Sequence, residues 1–364
     1  YSDPTSPTTT WYAPKWEDSN FSRSYKLVAR VSDEQGYSAW DTLSVLVYSE
    51  AGTIWVVDSE YATVKKYTAE GDFVLASDHN FTEPRAVASD VKRDYGCYVA
   101  DYGADEVIKL NHLGEFKARY PNLPNVTDVA LHEPSHTLWA INEGDGTLAV
   151  FYNHTPDVPA KTVSGFHSPN AITINQSSGD VWVADVGNNT VVQLNAVFLN
   201  DLPSDLSSGN VTIFGDTSAT YNFNVPAWLS VRDQVGGTLY IADNKHGEVE
   251  RLTYNSSSET YFRDTAVSGF ETPSRVVATR KGEVWVLSDA GTIQYFDEDN
   301  VTLAPTAIFS YTFVDPHAMA ADDNTGDVWV GDNGTHQIVR IVSPDSLAAT
   351  ISGINYVADI VVNR

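Results

Sequence analysis

Five side chains able to bind or react stand one or two places after a proline. They are Arg85, Asn170, Trp228, Arg275 and His317, in PRAVAS (84–89), PNAITI (169–174), PAWLSV (226–231), PSRVVA (273–278) and PHAMAA (316–321). Guanidinium, carboxamide, indole and imidazole groups donate, accept and stack, which is what holding a peptide or a glycan requires. They are poorly matched to metal chemistry. Zinc needs at least three protein ligands, and His317 is the only histidine so placed, with His167 two residues before Pro169. No G-x-S-x-G elbow, H-E-x-x-H pair or phosphate-cradling glycine loop occurs. Acids are plentiful, so a carboxylate pair for glycoside cleavage stays open, although a solvated surface shows the same abundance. DDNTGD (322–327) and DEDN (297–300) share the composition of calcium loops but not the EF-hand spacing. No cofactor is expected beyond Ca²⁺ at such turns, and no catalytic residue is assigned.

The elements that position these residues repeat. The clearest copy is DVWVADVGNNTVVQLN (180–195), an alternating strand, a turn cluster and a second alternating strand. Further copies begin at Thr53, Cys97, Thr137, Thr238, Glu283 and Asp327. Aligned, they place an aromatic at Trp55, Tyr98, Trp139, Trp182, Tyr240, Trp285 and Trp329. Three residues later stands a polar residue: Asp58, Asp101, Asn142, Asp185, Asp243, Ser288 and Asp332. The aromatic is expected to pack between units, and the Asp to cap nearby backbone N–H groups. With the proline-led strand before each phrase and a weaker strand after it, as in FVLAS (73–77) and VTIFG (211–215), each unit has four strands. Seven units at this period predict an all-β, seven-bladed β-propeller. The surplus LNDLPSDLSSGN (199–210) reads as a polar surface loop.

The V-W-V-A-D-x-G-N-N-x-V core of the phrase resembles the NHL-repeat family of propellers over about residues 50–362. The resemblance implies four-stranded blades and a central channel, with any site at one mouth, on the starts of the inner strands. In the aligned repeats that ring is Arg85, Thr127, Asn170, Ala227, Ser274, His317 and Ala358. Within the family, peptide α-amidating lyase is similar in its blades, and PHAMAA looks like one of its metal-bearing P-H starts. Its trio of metal-binding histidines is incomplete here: only His317 stands in the ring, and Asn170 and Ala227 stand where partners belong.

Charge narrows the partners. Against 48 acidic residues there are 22 basic ones, net −26, which disfavours nucleic acid and anionic membrane surfaces. No run of eighteen apolar residues occurs, so no membrane insertion is expected. The first residues, YSDPTSPTTT, read as a processed or internal start. The single cysteine, Cys97, lies on a strand where other copies carry Val or Leu, and reads as a small buried hydrophobe. N-x-S/T sequons stand at Asn20, Asn80, Asn125, Asn153, Asn175, Asn188, Asn210, Asn255, Asn300 and Asn333, against about four expected by chance. Most fall in turns and loops, where a folded propeller carries glycans. The expectation is a secreted or cell-surface glycoprotein.

The first fifty residues differ. A Pro/Thr-rich lead-in (1–21) precedes YKLVARVSDEQGYSAWDTLSVLV, two alternating strands around a DEQG turn. These resemble the closing strands of a PKD/Ig-like domain, giving a partial Ig-like segment over 22–48. The propeller then occupies 49–364. Two segments compete to complete its first blade, LSVLVY (43–48) and the strand at 357–362. A ring that joins its last strand to its first blade leaves no exposed edge, which favours 357–362. The leading functional expectation is a non-enzymatic extracellular structural or adhesive glycoprotein. It would assemble with copies of itself or other extracellular proteins into a fibre or coat through the open N-terminal strands. The alternatives are a peptide- or glycan-binding module and a divergent metal-dependent lyase or hydrolase centred on His317.

Overall fold

The computed structural model describes residues 23–32, 38–47 and 52–363, apart from 153–154, 196–198, 208–210, 216–220, 233–236, 299–305, 308–310 and 344–345. The lead-in 1–21 and the sequons Asn20, Asn153, Asn210 and Asn300 lie outside the described residues. Arg23–Ser32 and Ser38–Val47 pair antiparallel as a two-stranded sheet.

Seven four-stranded antiparallel sheets make up the rest. Their first strands are Val357–Val362, Pro84–Asp90, Val126–His132, Pro169–Ile174, Pro226–Arg232, Pro273–Ala278 and Pro316–Ala321, for blades 1 to 7 in turn. Each touches the next all the way round, so these strands wall the central channel. Blade 1 is composite. Val357–Val362 pairs antiparallel with Ile54–Asp58, which continues to Thr63–Tyr67 and Phe73–Ala76.

The second strands are the buried centre of every blade, and their aromatics, from Trp55 to Trp329, are at most 1% exposed. Each reaches across to the following blade. Trp139 packs with Ile172, Val181 and Val192, and Trp182 with Leu229 and Leu239. Burying such a ring contributes up to about 4–6 kcal/mol by area, so the aromatics are the mortar between blades. Cys97 is fully buried in the same kind of seam, and burial pushes its thiol up to about 12.

The polar residue three places on does a different job from simple turn formation. Asp101 accepts the N–H groups of Thr82 (2.8 Å) and Glu83 (2.7 Å). Asp185 accepts that of His167, Asp243 that of Asn224, and Asp332 those of Val314 and Asp315. Each carboxylate therefore ties down the loop that enters its own blade's first strand, satisfying donors that the extended loop leaves open. The turn that follows is closed by one left-handed residue in every blade: Ala62, Asp105, Gly146, Asn189, Gly247, Gly291 and His336.

The surplus stretch is, over 199–207, not merely a polar surface loop. Leu202 is buried against blades 3 and 4. Ser164, on the outer strand of blade 3, exchanges backbone hydrogen bonds with Ser204 and Leu206. The segment covers an otherwise open strand edge.

Candidate functional site at the wide mouth of the channel

Every first strand contains a register shift just after it opens: between Pro84 and Ala86, Val126 and Asp128, Pro169 and Ala171, Pro226 and Trp228, Pro273 and Arg275, and Pro316 and Ala318. In blade 1 the shift skips Ala358. The skipped residues are Arg85, Thr127, Asn170, Ala227, Ser274, His317 and Ala358. A bulge leaves one residue out of the ladder and re-aims its side chain. Here seven bulges aim seven residues at one place, a cavity of about 1110 Å³ that all seven line. Trp228 and Arg275, one position further in, line it too. All five candidate ligand-binding residues, Arg85, Asn170, Trp228, Arg275 and His317, are thus brought together. His167 does not line this cavity.

A second cavity of about 450 Å³ opens at the other end of the channel. Trp228 and Asp359 line both cavities and form the septum between them. Arg275 lies across this layer. Its guanidinium stacks 3.8 Å from the Trp228 ring centre, its Nη1 stands 3.5 Å from Asp359 Oδ1, and its Nη2 donates to the Ala358 carbonyl at 3.3 Å. Asp359 Oδ2 accepts the Val87 N–H of blade 2. Burial raises the pKa of Asp359, with Arg275 opposing. On the far side, burial and then the charge of Asp359 push Asp128 up to about 7, against the N–H groups of Ile172 and Val129 that bind its carboxylate.

At the wide mouth, Arg85 pairs with Glu83 at 2.7 Å and stacks 3.2 Å from the centre of Tyr102. The Asn170 carboxamide donates to the Ala227 carbonyl at 2.8 Å, and the Thr127 hydroxyl to that of Pro169 at 3.2 Å. The His317 ring lies 5.4 Å from that of Tyr356. Although open to solvent inside the concave mouth, His317 is surrounded by protein. Desolvation first and then Arg275 lower its pKa, while Asp315 and Asp289 oppose the shift. The imidazole is therefore mostly neutral at neutral pH. The rim loops are held firmly. Val225 and Thr272, both β-branched, adopt positive φ of 62° and 49° just before their strands, and their carbonyls accept from Asn244 and Asp289 N–H groups.

Repeat alignment alone does not find Glu60, Lys245, Asp289, Asp315 or Tyr356, which also line the mouth. They sit in connecting loops. A signal was available in part: the residue just after the second strand's polar position lines the mouth in three blades, as Ser59, Asn244 and Asp289. Trp228 is not open as a sugar-stacking platform, because one face carries Arg275 and the rest packs into the seams on either side.

Two sequons are corrected by burial. Asn175 is 0% exposed, its Oδ1 accepting the N–H groups of Ser177 and Ser178. Asn333 is 6% exposed; its Oδ1 accepts the Val357 N–H at 2.7 Å and its Nδ2, the atom a glycan joins, is buried. Neither has room for a glycan in the folded chain. Asn80, Asn188 and Asn255 are exposed, and Asn125 is half-buried. The acids of 322–327 are engaged within the protein. Asp322 binds the Asn324 N–H, Asp323 faces Arg280, and Asp327 pairs with Arg340. Among the described residues no three metal-ligating side chains cluster.

The NHL-repeat family model matches residues 166–194 and 313–341. No curated protein matches the chain. Among solved structures, a functionally unknown protein from Desulfotomaculum acetoxidans DSM 771 aligns over 86% of this chain and 99% of its own, with TM-score 0.67 and 12% identity. Virginiamycin B lyase from Staphylococcus aureus aligns over 74% and 84%, with TM-score 0.56 and 14% identity. A chain from a nidogen/laminin complex aligns over 72% and 94%, with TM-score 0.50 and 13% identity. Identities this low speak to fold alone. The chain is a seven-bladed β-propeller, two of whose blades match the NHL repeat.

Proposed function

We propose that the chain is an extracellular binding propeller that holds a peptide at its wide mouth. The convergence of seven bulged residues on one cavity carries this reading. The mouth offers both donors and acceptors, which suits the amide groups of a backbone. A glycan is the poorer fit, because Arg275 and Arg85 stack on Trp228 and Tyr102, which leaves Tyr356 as the open ring at the mouth. The exposed sequons and the acidic surface support a secreted setting. A chain of similar fold also occurs in a nidogen/laminin complex. A lyase or hydrolase reading draws only on the shared fold and a single mouth histidine. The scaffold reading, in which copies join through the N-terminal strands, draws on the pairing of Arg23–Ser32 with Ser38–Val47, the one sheet outside the ring among the described residues.

The test is selection of a random heptapeptide phage library on the purified chain, alongside a glycan array. Peptides are expected to enrich, and the double variant Arg85→Ala/His317→Ala, with unchanged melting, to lose them. Enrichment that survives the double variant places binding elsewhere. Glycan capture without peptide enrichment overturns the ligand class.

A further inference from the structure

We infer that the occupant of the wide mouth is a cationic peptide, seated by a lysine or arginine side chain in one sector of the rim; this rests on the peptide-binding reading above. The mouth is lined by Glu60, Glu83, Asp289, Asp315 and Asp359 against Arg85, Lys245 and Arg275. Two ion pairs cancel within it, Arg85 with Glu83 and Arg275 with Asp359. Three carboxylates then face one ammonium: Glu60, Asp289 and Asp315 against Lys245. These three are not scattered. Asp289 belongs to blade 6, Asp315 leads into blade 7, and Glu60 lies in the blade 1 turn, and the first strands of these blades adjoin.

The same sector contains the mouth's open aromatic. Tyr356 is 38% exposed and stands beside His317. Carboxylates around an aromatic edge and a neutral imidazole hold a guanidinium or an ammonium by charge-assisted hydrogen bonds and cation–π contact. Asp289 is held in place by the Asn244 carboxamide, which donates to it at 3.0 Å and also to the Pro273 carbonyl. An anionic ligand would have to enter this sector unpaired, under the field of a chain with net charge −26. The same field speeds the approach of a cation.

The experiment is a positional-scanning library of acetylated, amidated heptapeptides with the central residue fixed, passed over the immobilised full chain. The arginine- and lysine-fixed pools are expected to be retained at least about tenfold over the citrulline, glutamine and glutamate pools, a difference of about 1.4 kcal/mol. The double variant Asp289→Asn/Asp315→Asn should erase that preference. A control, Asp157→Asn/Glu259→Gln, removes as much charge from exposed positions outside the mouth and should leave it intact. Equal retention of the citrulline or glutamate pools overturns the charge class while peptide binding stands. Retention of no pool overturns both readings. Loss of preference in the control variant would assign the effect to overall charge and overturn the site.

Discussion

Replacing Ile360 by Ala tests how the ring is held shut. Ile360 is 4% exposed and sits opposite Val56 in the pair that joins Val357–Val362 to Ile54–Asp58. Its cluster includes Ile54, Trp329 and Ile338, so it touches both blade 1 and blade 7. The substitution removes three carbons, about 2.4 kcal/mol of transfer free energy at ~0.8 kcal/mol each. Incomplete collapse of the cavity brings the loss to about 3–4 kcal/mol. For a ring of roughly 300 residues, an unfolding entropy of ~2.1 cal/mol/K per residue converts this to a fall in Tm of about 5–6 °C. The assay is scanning calorimetry of the purified chain, with Leu113→Ala as the comparison, since Leu113 is 54% exposed and should move Tm by less than about 1 °C. Deleting 354–364 should go further and abolish the cooperative transition, because Ile54–Asp58 would lose its neighbour while every residue in it is buried. A Tm for Ile360→Ala within a degree of the parent would refute the reasoning, as would a truncated chain that melts unchanged.

Asp101→Ala strips the acceptor from two loop N–H groups and should cost about 2–3 kcal/mol in urea unfolding, the loop at Thr82–Glu83 being left untied. Peptide mapping of natively secreted protein after enzymatic deglycosylation in heavy-oxygen water should label Asn80, Asn188 and Asn255 and leave Asn175 and Asn333 unlabelled; a label at either buried position would contradict the packing described. The raised pKa of Asp128 gives a pH dependence with a definite sign. Its folded value, about 7, exceeds the unfolded value near 4, so its contribution is fully present below about pH 4 and is lost as pH rises through about 7. The stability of Asp128→Asn should therefore fall less steeply than the parent's between those limits. The slope is the readout, because the carboxamide also loses one of the two backbone bonds that the carboxylate accepts.

The repeat was legible because every blade solves the same local problem. An aromatic must fill each seam, an acid ties the entering loop in five of the seven blades, and a proline can open a strand whose first N–H has no partner. Alignment on those three features also located the bulged ring, since the bulge falls at a fixed step from them. What repeats do not encode is contact across the channel. Arg275 meets Asp359 from 84 residues away, and Asp359 meets Val87 from 272. No local pattern announces that Trp228 lies beneath a guanidinium. The rim acids were illegible for another reason: Asp289, Asp315 and Glu60 stand at loop positions where the residue type changes from blade to blade, so alignment shows no shared chemistry there. Sequon reading failed at Asn175 and Asn333 because asparagine serves a turn best when its carboxamide is turned inward to the backbone.

The composite blade has a mechanical consequence. Gly52 donates to the Asn363 carbonyl at 2.7 Å, and Asn363 donates in return to that of Thr53. The chain thus enters the ring and leaves it side by side, at the same end of an antiparallel pair. Traction between the two flanking segments would load those hydrogen bonds along their own axes, one after another, like the teeth of a zip. Pulled in this way, the ring opens by peeling at modest force. Pulled through one flank against a point inside the ring, the load instead crosses the seams of buried aromatics.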